Sequence, residues 1–117
     1  MVDVEELLEK MEGFAKMEES EVQSIKERIK ELEQLRKEED EIKRALAENE
    51  RRTLLHILNR IASKRLAKLV NSAIHEIIFE ERIIDLSNAM DFERQFYEAI
   101  LSLMQEYWKF WEVGNDV

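Results

Sequence analysis

The sequence has no cysteine, no proline and only two glycines, Gly13 and Gly114, in 117 residues. Without cysteine there is neither a disulfide framework nor a thiolate metal site, so nothing indicates an oxidising compartment. Two glycines so far apart cannot build a glycine-rich phosphate-binding loop. The longest purely apolar runs are a few residues, far short of a membrane span or a signal-peptide core. We therefore expect a cytoplasmic protein without membrane contact.

Charge is abundant and mostly negative. Charged residues make up 38% of the chain, and 27 Asp and Glu against 18 Lys and Arg give a net charge of −9. A composition dominated by Glu, Lys, Arg, Leu and Ile is typical of long amphipathic helices. The negative charge argues against direct nucleic-acid binding, because phosphate contacts need clustered Lys and Arg in excess. Together these features predict an all-α fold, a bundle of about four helices forming a single domain over residues 1–117.

Two helices are predicted in the first half. Apolar residues three or four apart over residues 4–14 predict a short first helix with Asp3 as its N-cap. A second pattern runs from Glu21 to Leu46, with Ser20 as a natural N-cap, and weakens where charged residues occupy 37–41. A helix over 21–46 would be about 39 Å long, so one end should project from a compact domain or meet a partner. Whether it breaks near 47–50 or continues stays open, because no helix breaker is present.

Two further helices are predicted in the second half. The strongest apolar pattern runs from Arg51 to Ile78 and predicts the central helix. Its polar side carries a basic row of Arg60, Lys64 and Lys68, one turn apart, with Arg65 adjacent. The last helix, over about 91–111, carries two neighbouring apolar stripes, Phe92, Phe96, Ile100, Leu103, Tyr107 and Tyr97, Leu101, Met104, Trp108, Trp111. That is more apolar surface than one facing helix can cover.

The segment IIDLSN, residues 83–88, interrupts the helical pattern. It predicts a helix-to-helix corner in which Ile83, Ile84 and Leu86 bury against the core. Ser87 or Asn88 would cap the last helix, and Asn88 with Asp91 resembles a capping box with Asp in place of Glu.

Residues 60–107 resemble the helical A domain of archaeal GINS subunits. The similarity lies in an Arg-x-x-Lys-hydrophobic helix, an Asp-Leu-Ser-Asn corner and a helix with a Tyr-x-x-Ile centre. It is carried by Arg65, Lys68, Leu69, Asp85, Leu86, Ser87, Asn88, Tyr97 and Ile100. The resemblance implies a non-catalytic scaffold without cofactor, which assembles with sister GINS subunits into a tetramer bridging the MCM ring and a Cdc45/RecJ-like partner. GINS subunits usually add a small β-rich B domain, for which residues 1–117 contain no pattern.

The run YWKFW, residues 107–111, gives the sharpest interface signal. Its aromatic side chains point around most of the helix circumference, so at least one should face outward. The alternative is that the N-terminal helix folds back and covers them. The predicted interface residues are Tyr97, Tyr107, Trp108, Phe110 and Trp111, together with the basic row and its neighbour, Arg60, Lys64, Arg65 and Lys68. The basic residues could instead pair with acids of the 21–46 helix.

Two other functions remain as alternatives. A small all-α metal-dependent nucleotide pyrophosphohydrolase would pair a Glu-x-x-Glu with a Glu-x-x-Asp to hold magnesium. The sequence has the first pattern at Glu18/Glu21 and Glu38/Glu41 but lacks the second, and His56 and His75 cannot share a helix face with a third ligand. We therefore predict no catalytic or metal site and interpret the Glu clusters as solvated faces. The other alternative is a generic coiled-coil adaptor that docks through the 21–46 helix.

Overall fold

A computed structural model describes residues 14–113. Three α-helices make up most of this range: α1 (Glu19–Gln34), α2 (Glu41–Phe79) and α3 (Asp91–Lys109). Single 3-10 turns lie at Leu35–Lys37 and Leu86–Asn88, and residues 14–113 contain no β-strand. The all-α prediction is confirmed for this part of the chain. The predicted first helix, including its cap at Asp3, lies outside the described residues.

The break between the first two described helices lies at residues 35–40, so the predicted continuous helix over 21–46 is wrong. The Asp40 carboxylate accepts hydrogen bonds from the backbone amides of Ile42 (2.9 Å) and Lys43 (3.3 Å) and thereby begins α2. No apolar residue between 36 and 41 competes with this cap by packing. Ile42 and Leu46, which seemed to continue the buried pattern, are 72% and 65% exposed.

The start of α1 also differs from the prediction. Ser20 lies inside the helix, and the preceding Glu18 is the N-cap. The Glu18 backbone amide donates to the Glu21 carboxylate at 3.2 Å, which is the reciprocal half of a capping box.

The long helix is α2. Its 39 residues correspond to about 58 Å at 1.5 Å per residue, and the molecule measures 75 × 22 × 19 Å. Its radius of gyration is 19.6 Å, against about 13 Å for a compact domain of 100 residues. Two separate apolar clusters lie along α2, one against α1 and one against α3. The long element is therefore α2 and not the predicted 21–46 helix. The predicted count of about four helices is not fully confirmed, because residues 14–113 contain three α-helices.

Residues 80–90 connect α2 to α3, as the corner prediction expected, but they form a return path rather than a tight turn. Glu80 ends α2 in the left-handed conformation (φ 56°). The chain then runs back along α2 and buries Ile84 beside Leu69 and Ala73. Leu86 is half-buried and Ile83 is 47% exposed, so the predicted burial of Ile83 is wrong.

Neither Ser87 nor Asn88 caps α3. Met90 is the N-cap residue, and its backbone amide donates to the Glu93 carboxylate at 3.0 Å. Asp85 instead caps the 3-10 turn by accepting from the Ser87 amide at 3.0 Å.

Because the connection runs back along α2, α3 lies parallel to α2. Glu93 pairs with Arg65 near the start of α3, and Trp108 lies in one surface depression with Ile77 and Glu80 near its end. Both intervals are fifteen residues long, from 65 to 80 and from 93 to 108. The two helices therefore run in the same direction, with the start of α3 beside Arg65 and its end beside Glu80.

Candidate protein-interaction surface

A buried ion pair fixes the start of α3 on α2. The Arg65 guanidinium donates to both oxygens of Glu93, at 2.9 and 2.7 Å, and the two side chains are only 3% and 6% exposed. Arg65 also donates to the backbone carbonyls of Ala15 (2.6 Å) and Asn88 (3.1 Å), and it lies 4.2 Å from the centre of the Phe14 ring. One side chain thus joins α2, α3, the segment before α1 and the α2–α3 connection.

A second polar contact holds the middle of α3. The Tyr97 hydroxyl donates to the Glu76 carboxylate at 2.8 Å. Arg82 donates to both Glu76 oxygens, at 2.7 and 3.2 Å, and pairs with Glu98 at 3.1 Å. The hydrogen bonds from Arg82 and then from Tyr97 lower the pKa of Glu76, whereas burial, followed by the bond to Glu76, raises the pKa of Tyr97 to about 12. This network fixes the rotation of α3 about its own axis.

With that rotation, one of the two predicted stripes of α3 packs inward except at its end, where Trp111 is 56% exposed. Tyr97 and Leu101 are buried against Leu69 and Ala73 of α2, and Met104 packs against the same cluster. Trp108 is half-buried. The expectation that a single facing helix covers only part of this apolar surface is confirmed.

Most of the other stripe remains on the surface, but Ile100 is half-buried against the same cluster. The exposed residues of this stripe, together with Phe110, form what we call the α3 apolar face. It comprises Phe92, Phe96, Leu103, Tyr107 and Phe110, which are 55%, 37%, 71%, 66% and 79% exposed. Their spacing of three, four or seven residues places them along one side of the helix. The opposite side of α3 is polar, so the exposed apolar residues are concentrated on one surface.

The two ends of the α3 apolar face differ in shape. At its start, Phe92 and Phe96 form one wall of an apolar groove of about 350 Å³ whose other wall includes Ala62 and Leu66 of α2. At its end, Trp111 contacts Tyr107 and Phe110, with ring centres 6.3 and 5.0 Å apart. The face therefore has a concave end and a protruding aromatic end.

The structure separates the predicted interface residues into two groups. Tyr107, Phe110 and Trp111 are exposed, as expected. Tyr97 and Arg65 are 0% and 2% exposed, so neither can contact a partner directly, and their assignment to the interface is wrong. Both point inward because each lies four residues from buried apolar neighbours, Leu101 for Tyr97 and Ile61 for Arg65.

The basic row is exposed. Arg60, Lys64 and Lys68 all lie at the surface, and none makes an ion pair with another residue of the range 14–113. The alternative that they pair with acids of the 21–46 helix is not observed there. Arg65, the fourth predicted basic residue, pairs with Glu93 of α3 instead.

Two features of the surface were not singled out from the sequence. Glu93 lies four residues before Tyr97 in the inward stripe, and a carboxylate at such a position signals a buried partner. Leu66 was counted with the core pattern of α2, yet it is 51% exposed beside the groove.

Among residues 14–113, no group of three or more His, Asp and Glu side chains is arranged to hold a metal ion. Glu18 and Glu21 are engaged at the start of α1. His75 lies 3.5 Å from Glu81 and packs on the Phe79 ring, and His56 is exposed. In the same range, no helix combines the length and the apolar character needed to cross a bilayer.

No protein-family model, curated protein or solved structure matches this chain.

Proposed function

We propose that the protein is a non-catalytic assembly subunit that binds other proteins through the α3 apolar face. The observation that carries the proposal is the exposure of five large apolar side chains along one side of α3. At about 200 Å² per aromatic side chain, the exposed fractions of the four aromatic residues of the face and of Trp111, which contacts Tyr107 and Phe110, amount to roughly 600 Å². Single-chain proteins rarely expose a larger contiguous apolar patch, and such patches mark interaction sites.

The rigidity of α3 supports the same function. A buried bidentate ion pair at its start and the Glu76–Tyr97–Arg82 contacts at its middle hold the helix in one rotation. The aromatic residues are therefore presented in a fixed arrangement, and a partner that binds them does not have to order the helix first.

The resemblance to archaeal GINS subunits gives the proposal its biological setting. Arg65, Asn88 and Tyr97, three of the residues that carry the resemblance, take part in the contacts that hold α3 on α2. On this basis the protein is proposed to be a cytoplasmic scaffold of the replicative helicase, which assembles with sister GINS subunits and joins the MCM ring to a Cdc45/RecJ-like protein.

A coiled-coil adaptor is the second candidate, and one observation favours it. Ile42 and Leu46 lie one turn apart near the tip of the α1–α2 hairpin and are both strongly exposed. A partner helix could pack there without touching α3.

Binding to purified MCM and RecJ-like proteins tests both candidates. We expect Leu103→Glu to weaken binding at least tenfold, because it places a charge in the centre of the apolar face. Ser102→Glu adds the same charge on the polar side of α3 and should leave the affinity unchanged. If Ile42→Glu abolishes binding and Leu103→Glu does not, the hairpin is the docking surface. If neither protein binds the wild-type chain, the helicase setting is wrong.

A further inference from the structure

We propose that the α3 apolar face binds a second copy of this chain, with the two α3 helices antiparallel and a twofold axis beside Ala99 and Leu103. The inference rests on the proposed function, because it names one occupant of the same surface. A helicase protein that binds through Leu103 would then have to compete with the second copy. In this pairing, the protruding Tyr107, Phe110 and Trp111 of each copy cover the apolar groove of the other.

The shape of the face points to this arrangement. The groove lies at the start of α3 and the aromatic cluster at its end, about 22 Å apart at 1.5 Å per residue. A twofold contact is reciprocal, so whatever one copy inserts, the other inserts as well. Antiparallel helices bring groove and aromatic cluster together at both ends of the contact. Parallel helices would place protruding rings against protruding rings and leave both grooves empty.

The spacing of the side chains fits the same geometry. Phe92, Phe96, Ala99, Leu103 and Phe110 follow intervals of four, three, four and seven residues, which is the repeat of helices that pack side by side. In the antiparallel pair, Phe92 lies opposite Phe110 and Phe96 opposite Tyr107. Ala99 then lies opposite Leu103 beside the axis, where the small side chain lets the two backbones approach.

Charge does not oppose the pairing at the contact itself. Each chain carries −9 overall, but the α3 apolar face contains no charged residue, and Arg65 and Glu93 below the groove neutralise each other. Glu106, at the edge of the face, would lie opposite the uncharged Gln95 of the second copy. At this edge of the contact, like charges are therefore not brought together.

The area buried between the two copies sets the expected affinity of the dimer. Roughly 600 Å² of aromatic surface per copy, with Leu103 added, approaches the ~800 Å² per partner of a standard specific interface. We therefore expect a reversible dimer that dissociates on dilution.

Sedimentation over a concentration series tests the dimer. The wild-type chain and Ser102→Glu should dimerise with the same dissociation constant, and Leu103→Glu should raise it by about 30-fold or more. Leu103 is 71% exposed, so this variant should keep the wild-type circular dichroism spectrum. Its melting temperature should equal that of the wild-type chain at concentrations below the dimer's dissociation constant, where both chains are monomeric. A wild-type chain that stays monomeric at all concentrations overturns the inference. If that monomer still binds a helicase protein through Leu103, the proposed function stands without it.

Disulfide trapping tests the orientation, because the chain has no native cysteine. Mixing Phe96→Cys chains with Tyr107→Cys chains should give a cross-linked heterodimer under mild oxidation. Each variant alone should not cross-link, because the two copies of residue 96 would be about 16 Å apart along the helices. Cross-linking of either variant with itself would indicate parallel helices and overturn the antiparallel arrangement.

Discussion

Each half of α2 packs on an apolar cluster, but the two halves place their ion pairs in opposite ways. Against α1, the contact is an apolar seam in which Ile25, Ile29 and Leu32 are buried, and the charged pairs lie outside it. Arg28 and Glu50 are 2.8 Å apart, but their side chains are 39% and 46% exposed. Against α3, the ion pair of Arg65 and Glu93 is inside the contact, and a row of large apolar side chains lies outside it.

This difference explains why the apolar face of α3 stays exposed to solvent. Burial of apolar side chains is non-directional, so a helix positioned by apolar packing alone turns its widest apolar side inward. Hydrogen bonds are directional, and leaving a buried charge unpaired costs several kcal/mol. The polar contacts at Glu93 and Tyr97 therefore select one rotation of α3, and that rotation leaves Phe92, Leu103 and Tyr107 exposed.

Removing the buried charge of Glu93 tests the difference between the two halves of α2 most directly. Glu93→Gln leaves the Arg65 guanidinium buried without a counter-charge, and we expect the free energy of unfolding to fall by about 3 to 5 kcal/mol. Urea unfolding at pH 7, followed by far-ultraviolet circular dichroism at one protein concentration, measures the loss.

Glu98→Gln is the matched control on the same helix. Glu98 contacts Arg82 at 3.1 Å but is 55% exposed, so the same chemical change should cost less than about 1 kcal/mol. Equal losses at the two positions would mean that the buried pair does not position α3. If Glu93→Gln does not fold, the double variant Arg65→Met, Glu93→Leu should recover part of the stability, because no charge is left buried.

The pKa of Tyr97 tests whether the polar contact at the middle of α3 is buried. The chain has two tyrosines, so Tyr107→Phe leaves Tyr97 as the only phenol. Burial, together with the hydrogen bond to Glu76, raises the pKa of Tyr97 to about 12 from 10.0. The pKa of Tyr97 is higher in the folded chain than in the unfolded chain. The stabilisation of the fold by the protonated Tyr97 hydroxyl is therefore fully present below pH 10 and is lost as the pH rises through 12. Absorbance at the tyrosinate band against pH should give this midpoint.

Adding Glu76→Gln to that variant should lower the midpoint only in part, because burial remains. Glu80→Gln, one turn further along α2 and exposed, should leave it unchanged. A midpoint near 10 in the Tyr107→Phe chain would show that Tyr97 is solvated, and α3 would then not be held as described.

The sequence predicts well what depends on periodicity within one segment. The central helix, the last helix and its two stripes follow from apolar residues three and four apart. The break at residues 35–40 was missed because it depends on one side chain, Asp40, bonding to the backbone, with no proline or glycine to mark it.

Contacts between distant segments could not be predicted in this way. In the sequence Arg65 lies beside the basic row of Lys64 and Lys68, and only its distance of four residues from both Ile61 and Leu69 places it inward. Its partner Glu93 is 28 residues away on another helix, and helical periodicity cannot predict a contact between two helices. The parallel direction of α3 could not be predicted either, because a connection over residues 80–90 allows α3 to run parallel or antiparallel to α2.

The smallest expected effect is at the exposed pair of the hairpin. Glu50→Gln removes the carboxylate that Arg28 contacts at 2.8 Å, yet the loss of stability should stay below about 0.5 kcal/mol, because both side chains keep their hydration. The loss should shrink further in 1 M salt, where the Debye length falls to about 3 Å, whereas the loss from Glu93→Gln should persist. A large, salt-resistant effect of Glu50→Gln in urea unfolding would show that the hairpin also depends on its ion pairs, and the contrast between the two halves of α2 would be lost.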